Sequence, residues 1–194
     1  MNKQLKDYLR YHHAIDVPMA QSIGMSRAML SYLVKTGELQ RVAQGMYMPA
    51  TEIADDLVVI SCRSPNIVFS HETALALHKL HNRIPIVPSV TLPSGKGIPH
   101  SIENAVSVYH VRNELHGLGM AEMTSFLGNQ IPCYDKERTI CDIVRSRSRI
   151  DEETYVNAIR NYVRLPKKNL PKLFDYAEKM GLSRKLHEVL EVIL

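Results

Sequence analysis

The sequence predicts an α+β protein in which a small, mainly helical N-terminal module precedes a larger mixed domain with a helical C-terminal third. Three observations lead to this fold class: helix signals fill the first 36 residues, strand-like segments cluster between residues 88 and 133, and helical periodicity returns from Asp135 onward. A chain of 194 residues has room for one or two domains. We therefore expect one domain over residues 1–50 and a second over 51–194.

The N-terminal module has the element order of a winged helix-turn-helix. Apolar spacing predicts a helix over residues 3–11, and a proline-led signal starts a second, short helix that ends at Gly24. Ser26 is a good N-cap for a third helix, which ends at Gly37. Residues 39–49 then form two short strands around a Gln-Gly turn. This order is typical of a winged helix-turn-helix.

The outward face of the third helix carries the strongest functional signal. The small and aliphatic residues fall at the intervals at which a helix-turn-helix packs its two helices together, and the remaining positions are polar or basic. Such side chains reach phosphates and base edges in a DNA major groove. Because the set holds few cations, we expect two copies to bind an inverted repeat together. A protein-binding winged module is the alternative. The predicted DNA-binding residues are Ser26, Arg27, Ser31, Tyr32, Lys35, Arg41 and Gln44.

Residues 51–194 are predicted to form helices, then strands, then helices again. The same apolar and capping patterns apply throughout this region. They predict helices over residues 53–62 and 71–80, strands over 90–92, 105–111, 123–127 and 131–133, and helices over 136–146, 151–164, 170–180 and 183–194.

The positive charge of the chain is concentrated in two regions. The net charge is +4, and residues 1–50 alone carry six cations against three anions. The rest is nearly neutral, yet it contains a second basic run. This run is either a further surface for nucleic acid or an acidic protein, or a solvated helix face neutralised by Asp151, Glu152 and Glu153. The C-terminal basic run comprises Arg145, Arg147, Arg149, Arg160, Arg164, Lys167 and Lys168.

No pattern in the chain predicts a catalytic residue, a metal site or a cofactor. Cys62, Cys133 and Cys141 include no CxxC pair, so we expect reduced and mostly buried thiols. The nine histidines lack the spacing and acidic partners of a helical zinc site. We expect the carboxylates of residues 135–142 to cap a helix and to form ion pairs, rather than to bind magnesium as a cluster. With no apolar run of membrane length, we expect a cytoplasmic protein.

Three blocks of the sequence together resemble the AbiEi-type antitoxins of bacterial abortive-infection systems. They are GELQRV with GMY at the predicted wing (residues 37–42 and 45–47), SHETALALHKL (70–80) and YDKERTICD (134–142). The order of the blocks and the Glu-Arg-Thr-x-x-Asp pattern in the last one carry the resemblance, which spans nearly the whole chain.

The resemblance implies a protein with two roles. Its winged helix would bind promoter DNA and repress its own operon, and its C-terminal domain would counteract a nucleotidyltransferase toxin encoded beside it. Antitoxins of this type IV class oppose the toxin's effect without forming a stable complex with it, and such systems are linked to phage defence. The C-terminal basic run is then the candidate antitoxin surface. The resemblance supplies no active site, and we expect no enzymatic activity.

Two other functions stay open at this point. One makes the C-terminal domain an effector or protein sensor on an ordinary winged-helix regulator. The other makes it an enzyme that acts on nucleic acid through the basic run. The identity of the adjacent gene separates the antitoxin from the plain regulator, because only the antitoxin requires a toxin next to it.

Overall fold

A computed structural model describes residues 3–193, with side chains described for residues 3–191. It confirms the predicted α+β class, with helices toward both ends and most strands between them. The N-terminal elements are α1 Lys3–His12, β1 Ile15–Asp16, α2 Val17–Ser22, α3 Arg27–Lys35, β2 Leu39–Ala43 and β3 Met46–Pro49.

These N-terminal elements form the predicted winged helix-turn-helix. The three strands make an antiparallel sheet with β3 in the centre. The Asp16 carboxylate accepts the Met19 N–H at 2.8 Å and caps α2. Gly24 has a φ of +78° in the turn before α3, a conformation that favours glycine. The apolar side chains pack into one cluster, whose buried members are Leu5, Leu9, Ile15, Ala20, Met25, Leu30, Leu33, Leu39 and Tyr47.

The larger region follows the wing directly. Met46 and Met48 of β3 pack into an apolar cluster that also contains residues of this region, such as Leu57 and Phe69. The predicted boundary after residue 50 stays a prediction. The elements are α4 Asp56–Ser61, β4 Val68–Phe69, α5 His71–Leu77, β5 Ser89–Pro93, β6 Ser107–Val111, α6 Asn113–His116, β7 Met120–Thr124, β8 Gln130–Tyr134, α7 Lys136–Arg145, α8 Glu152–Arg164, α9 Leu170–Lys179 and α10 Ser183–Ile193.

A mixed five-stranded sheet forms the middle of this region, in the order β6-β5-β4-β8-β7. β4 pairs antiparallel with β5 and parallel with β8, β5 pairs parallel with β6, and β7 pairs antiparallel with β8. Strands that are far apart in sequence therefore lie side by side in the centre. β6 and β7 are left as the two edges.

α7 is the central helix of the C-terminal third, in contact with α5, α8 and α9. Arg138 on this helix is 0% exposed. Its Nε donates to the Asp142 carboxylate at 3.1 Å, and its Nη1 donates to the Leu115 carbonyl oxygen at 2.7 Å. The sequence block over residues 134–142 thus belongs to the interior of the fold.

The carboxylates at the start of α7 have structural roles. Asp135 accepts the Arg138 N–H at 2.8 Å, which confirms the predicted cap. Glu137 accepts the hydroxyl of Tyr162 at 3.1 Å and lies 3.9 Å from the Lys172 Nζ. Asp142 forms its ion pair with Arg138, as the prediction of ion pairs requires.

Local hydrogen bonds move the start of one predicted helix and the end of one predicted strand. The helix predicted over 53–62 begins only at Asp56, because the Asp55 carboxylate caps it by accepting the Leu57 N–H at 3.0 Å. Ile53 is left 80% exposed. The strand predicted over 123–127 ends at Thr124, since the Ser125 hydroxyl oxygen accepts backbone N–H groups of the turn that follows.

Candidate nucleic-acid interface

The exposed face of α3 carries a stripe of three predicted residues. Arg27, Ser31 and Lys35 lie four residues apart, which places them on the same side of a helix. All three are exposed, while Leu30 and Leu33 are buried beneath them. Within residues 3–191, the side chains of Arg27 and Lys35 form no hydrogen bond or ion pair. The two cations are therefore available to a ligand.

Ser26 and Tyr32 lie on another side of α3. The Ser26 hydroxyl oxygen accepts the Met29 N–H at 3.1 Å and so caps the helix as predicted. Tyr32 is 58% exposed. Both line a shallow cavity of about 320 Å³ that also includes Met29. Ser26 thus caps α3 while remaining exposed, and Tyr32 is exposed beside it.

The other predicted residues meet at the wing. Arg41 and Gln44 line a polar groove of about 440 Å³, and Arg27 reaches the same groove from the start of α3. The Nε of Arg41 donates weakly to the Ala43 carbonyl oxygen, at 3.4 Å. Three of the seven predicted residues are thus brought together. We call the polar groove that these residues line the wing groove.

Arg63 is a member of the wing groove that the sequence did not indicate. It follows α4, and its Nη1 donates to the carbonyl oxygen of Gln44 at 2.8 Å. Its Nε is buried and has no hydrogen-bond partner in the part of the chain that the structure describes. A lone arginine 19 residues beyond the wing turn gives no local sequence signal, and only the tertiary fold brings it there.

Three arginines of the C-terminal basic run donate hydrogen bonds to backbone carbonyl groups of the chain itself. Arg149 donates from Nη2 to the Val108 carbonyl oxygen at 3.2 Å. Arg145 donates weakly from Nη2 to the His110 carbonyl oxygen at 3.4 Å, and its Nη2 lies 3.8 Å from the Asp142 carboxylate. Both carbonyls belong to the edge strand β6, and such edges expose unpaired backbone groups. Arg147 donates to the Ile150 carbonyl oxygen at 3.2 Å.

The other four residues of the run lie at the end of α8 and in the loop after it. Arg160, Arg164 and Lys167 are exposed. Lys168 is half-buried and its Nζ donates weakly to the Leu165 carbonyl oxygen, at 3.4 Å. The structure thus separates the predicted antitoxin surface into an anchored part and an exposed part.

The anchored part adjoins a buried histidine. His71 is 0% exposed, stacks on Tyr109 at 3.4 Å between ring centroids, and lies 3.0 Å from the Ser146 hydroxyl. Arg149 covers the Tyr109 ring at 3.8 Å. Burial, reinforced by Arg145 and Arg149, holds the pKa of His71 well below its ordinary value, so the imidazole is neutral. A neutral, fully enclosed ring indicates a packing role.

The cysteines and histidines give no further site within the described residues. Cys133 and Cys141 are buried as predicted, and burial raises the pKa of each thiol to about 12. Cys62 is exposed, contrary to the expected burial. In residues 3–191, no group of three or more histidine, cysteine or carboxylate side chains is arranged to hold a metal ion. No described helix has the length and apolarity needed to cross a membrane.

The fold and the exposed cations of α3 and the wing groove define the chain as a winged helix-turn-helix protein with a larger α+β region. Residues 3–50 match the sequence profile of a family described as transcriptional regulator, AbiEi antitoxin. This match confirms the resemblance to AbiEi-type antitoxins through the N-terminal module.

A solved structure supports the fold over nearly the whole chain. The RV2827C protein from Mycobacterium tuberculosis matches 97% of this chain and 80% of its own, with a TM-score of 0.54 and 15% sequence identity. At this identity the likeness shows the fold alone. No curated protein matches the chain.

Proposed function

We propose that the chain is an antitoxin that also represses its own operon, and that its winged helix binds promoter DNA. The observation that carries this proposal is the stripe of unpaired cations on α3 beside the wing groove. The second helix of a helix-turn-helix enters the major groove with its N-terminal residues at the base edges. Arg27 is the first residue of that helix.

The exposed residues divide between phosphate attraction and base contacts. Arg27 suits guanine or a phosphate, Lys35 and Arg41 suit phosphates, and hydroxyl or amide groups supply the remaining hydrogen bonds. With few cations per copy, one chain binds weakly, and two copies on an inverted repeat reach a useful affinity. Their half-sites would lie about 34 Å apart, one turn of DNA. The hydrogen-bonding group comprises Ser26, Ser31, Tyr32 and Gln44.

The DNA-binding proposal is tested with Arg27→Ala and Lys35→Ala. We expect each variant to bind a duplex from upstream of the chain's own gene at least about tenfold more weakly, the equivalent of about 1.4 kcal/mol. Lys96→Ala is the matched control, because it removes an exposed cation from a loop outside the module. Unchanged affinity in both α3 variants would contradict the proposal.

For the larger region, we propose that it counteracts an adjacent nucleotidyltransferase toxin in the cytoplasm without a stable complex. The family description of residues 3–50 supports an antitoxin. The test is expression of the adjacent gene alone and together with this chain. We expect the adjacent gene to arrest growth and this chain to restore it. A harmless neighbour would contradict the antitoxin role.

We further propose that this protection is not enzymatic and uses the exposed part of the basic run. Four polar side chains of α7 are buried, which supports a structural role for them: Glu137, Arg138, Thr139 and Asp142. Protection should decline stepwise as Arg160, Arg164 and Lys167 are replaced by alanine. Abrupt loss after replacement of one exposed polar residue, in a chain that still folds, would indicate an enzyme instead.

A regulator whose larger region senses a ligand or a protein is the second candidate function. The observation that favours it is an apolar groove of about 230 Å³ that includes Ile84, Ile86, Phe126 and Leu127. Ile86 is 99% exposed. Contiguous apolar surface of this kind often marks an interaction site. If the larger region is a sensor, Ile86→Ala or Phe126→Ala should alter repression. The adjacent gene, expressed alone, should then not arrest growth.

A further inference from the structure

The wing groove is assembled from three parts of the chain. Arg27 comes from the start of α3, Arg41 from β2, and Arg63 from the segment after α4. None of the three forms an ion pair in the part of the chain that the structure describes. Three unneutralised guanidinium groups on one groove create a local positive potential.

The residues that line the groove include few carboxylates that could neutralise these guanidinium groups. Asp16 is the acidic residue among those that line it. Its carboxylate already accepts the Met19 N–H at 2.8 Å as the cap of α2. Cations therefore outnumber carboxylates three to one in the groove. This balance suits an anionic ligand with several oxygen acceptors.

Arg63 is held in the groove by one hydrogen bond and retains donors for another partner. Its Nη1 binds the Gln44 carbonyl oxygen at 2.8 Å, which fixes the guanidinium at the wing turn. Its Nε is buried without a hydrogen-bond partner among the described residues. Its Nη2 also forms no hydrogen bond among the described residues but is not buried, so it can donate a charge-assisted hydrogen bond to a phosphate oxygen.

We propose that Arg63 is a third phosphate-binding arginine of the interface, and that it holds a DNA backbone phosphate together with Arg27 and Arg41. This inference rests on the proposed DNA-binding function and adds a residue from outside the winged helix to it. A phosphate contact positions the protein without reading sequence. Arg63 therefore ties the larger region to the DNA at the wing.

The salt dependence of binding tests this role. The logarithm of the binding constant falls with the logarithm of salt concentration, by about 0.9 for each phosphate contact. Arg63→Ala should flatten this slope by about one for each bound copy, and should weaken binding to the upstream duplex and to a random duplex by the same factor. Arg63→Lys, which keeps the charge, should recover most of the slope. Lys96→Ala should leave it unchanged.

The outcomes separate this inference from the proposed function. A wild-type chain that binds neither duplex would overturn both. Wild-type binding with an unchanged slope in Arg63→Ala would overturn the role of Arg63 and leave the winged-helix proposal standing. Loss of discrimination between the two duplexes would also overturn the role, because a phosphate contact cannot supply it.

Cys62 provides a second readout in the unmodified chain. It lines the wing groove next to Arg63, and it is exposed while the other two cysteines are buried. A thiol reagent should therefore label Cys62 selectively. Although the residue is exposed, neighbouring atoms partly desolvate its thiol and raise the pKa of Cys62, so the labelling is done at mildly alkaline pH.

DNA and free phosphate give different results in this labelling experiment. We expect the upstream duplex to slow the labelling of Cys62 several-fold, and inorganic phosphate at the same ionic strength to leave it unchanged. Full protection by inorganic phosphate, or none by DNA at a concentration that saturates binding, would overturn the assignment of a DNA phosphate to the groove.

Discussion

The two basic regions of the chain use the same residue types in opposite ways. On α3, Arg27 and Lys35 project into solvent, and within residues 3–191 neither has an intramolecular partner. In the C-terminal run, Arg145 and Arg149 donate to the backbone of the edge strand β6. The first pair is free for a ligand, whereas the second pair supports the fold.

This difference shows why a count of charges does not identify a binding surface. The C-terminal run has more cations than the N-terminal set, yet part of it is already bound. Arg149 covers the ring of Tyr109, and Arg147 covers the ring of Tyr155 at 4.6 Å. Such cation–π contacts contribute about 0.5–1 kcal/mol each at exposed sites. Replacing these arginines should therefore change stability before it changes binding.

The largest effect on stability is expected in the interior of the larger region. Asp142→Ala leaves the guanidinium of Arg138 buried without its carboxylate, and removing one partner of a buried pair costs about 3–5 kcal/mol. Urea unfolding of the full chain measures this loss. Asp175→Ala is the matched control, because it breaks an exposed pair with Lys179, where the expected loss is about 0.5 kcal/mol or less. Similar losses of stability in both variants would contradict the structural role of the sequence block over residues 134–142.

The next effect is a dependence of stability on pH. The folded-state pKa of His71 lies below its unfolded value, so the unfolded chain binds a proton first as pH falls below about 6.5. The free energy of unfolding should decrease over that range, by up to about 1.4 kcal/mol per pH unit for one proton. His71→Asn keeps a residue that tolerates the φ of +47° and should reduce this slope.

Urea unfolding at a series of pH values measures the difference between wild type and His71→Asn. Above pH 7 the two stabilities should run parallel, because the imidazole is neutral in both the folded and unfolded chain there. A variant that keeps the full wild-type slope below about pH 6.5 would contradict the assignment to His71.

A smaller effect is expected at the edge of the sheet. Arg149→Ala removes the contact with Tyr109 and the bond to Val108, and should lower the free energy of unfolding by about 1 kcal/mol. Arg160→Ala, an exposed arginine of the same run, should change it by less than about 0.5 kcal/mol. Equal effects would remove the distinction between the anchored and exposed parts of the run.

The sequence predicted the winged helix well because its signals are local. Ser26 and Gly24 act within a few residues of their own positions, and each has the predicted role in the structure. The edge of β6 and the place of Arg63 depend instead on contacts between distant segments. Arg149 reaches Val108 across 41 positions, and no periodicity or cap encodes such a contact.

The ends of short elements were also set by contacts that a pattern does not reveal. Ile53 satisfies the apolar spacing of a helix, but the cap at Asp55 excludes it from α4. Asp55 also accepts hydrogen bonds from Ser125 and Asn129, which lie some 70 residues further along the chain. The long-range polar pair therefore holds the Asp55 carboxylate at the start of the helix.

A comparison of the DNA affinities of Arg27→Ala and Arg149→Ala tests most directly which basic region binds DNA. Both variants remove one arginine, and both are titrated with the upstream duplex at the same salt concentration. Arg27→Ala should weaken binding at least about tenfold, whereas Arg149→Ala should bind as the wild type does. Equal weakening by both variants, or weakening by Arg149→Ala alone, would contradict the claim that the winged helix is the DNA-binding surface.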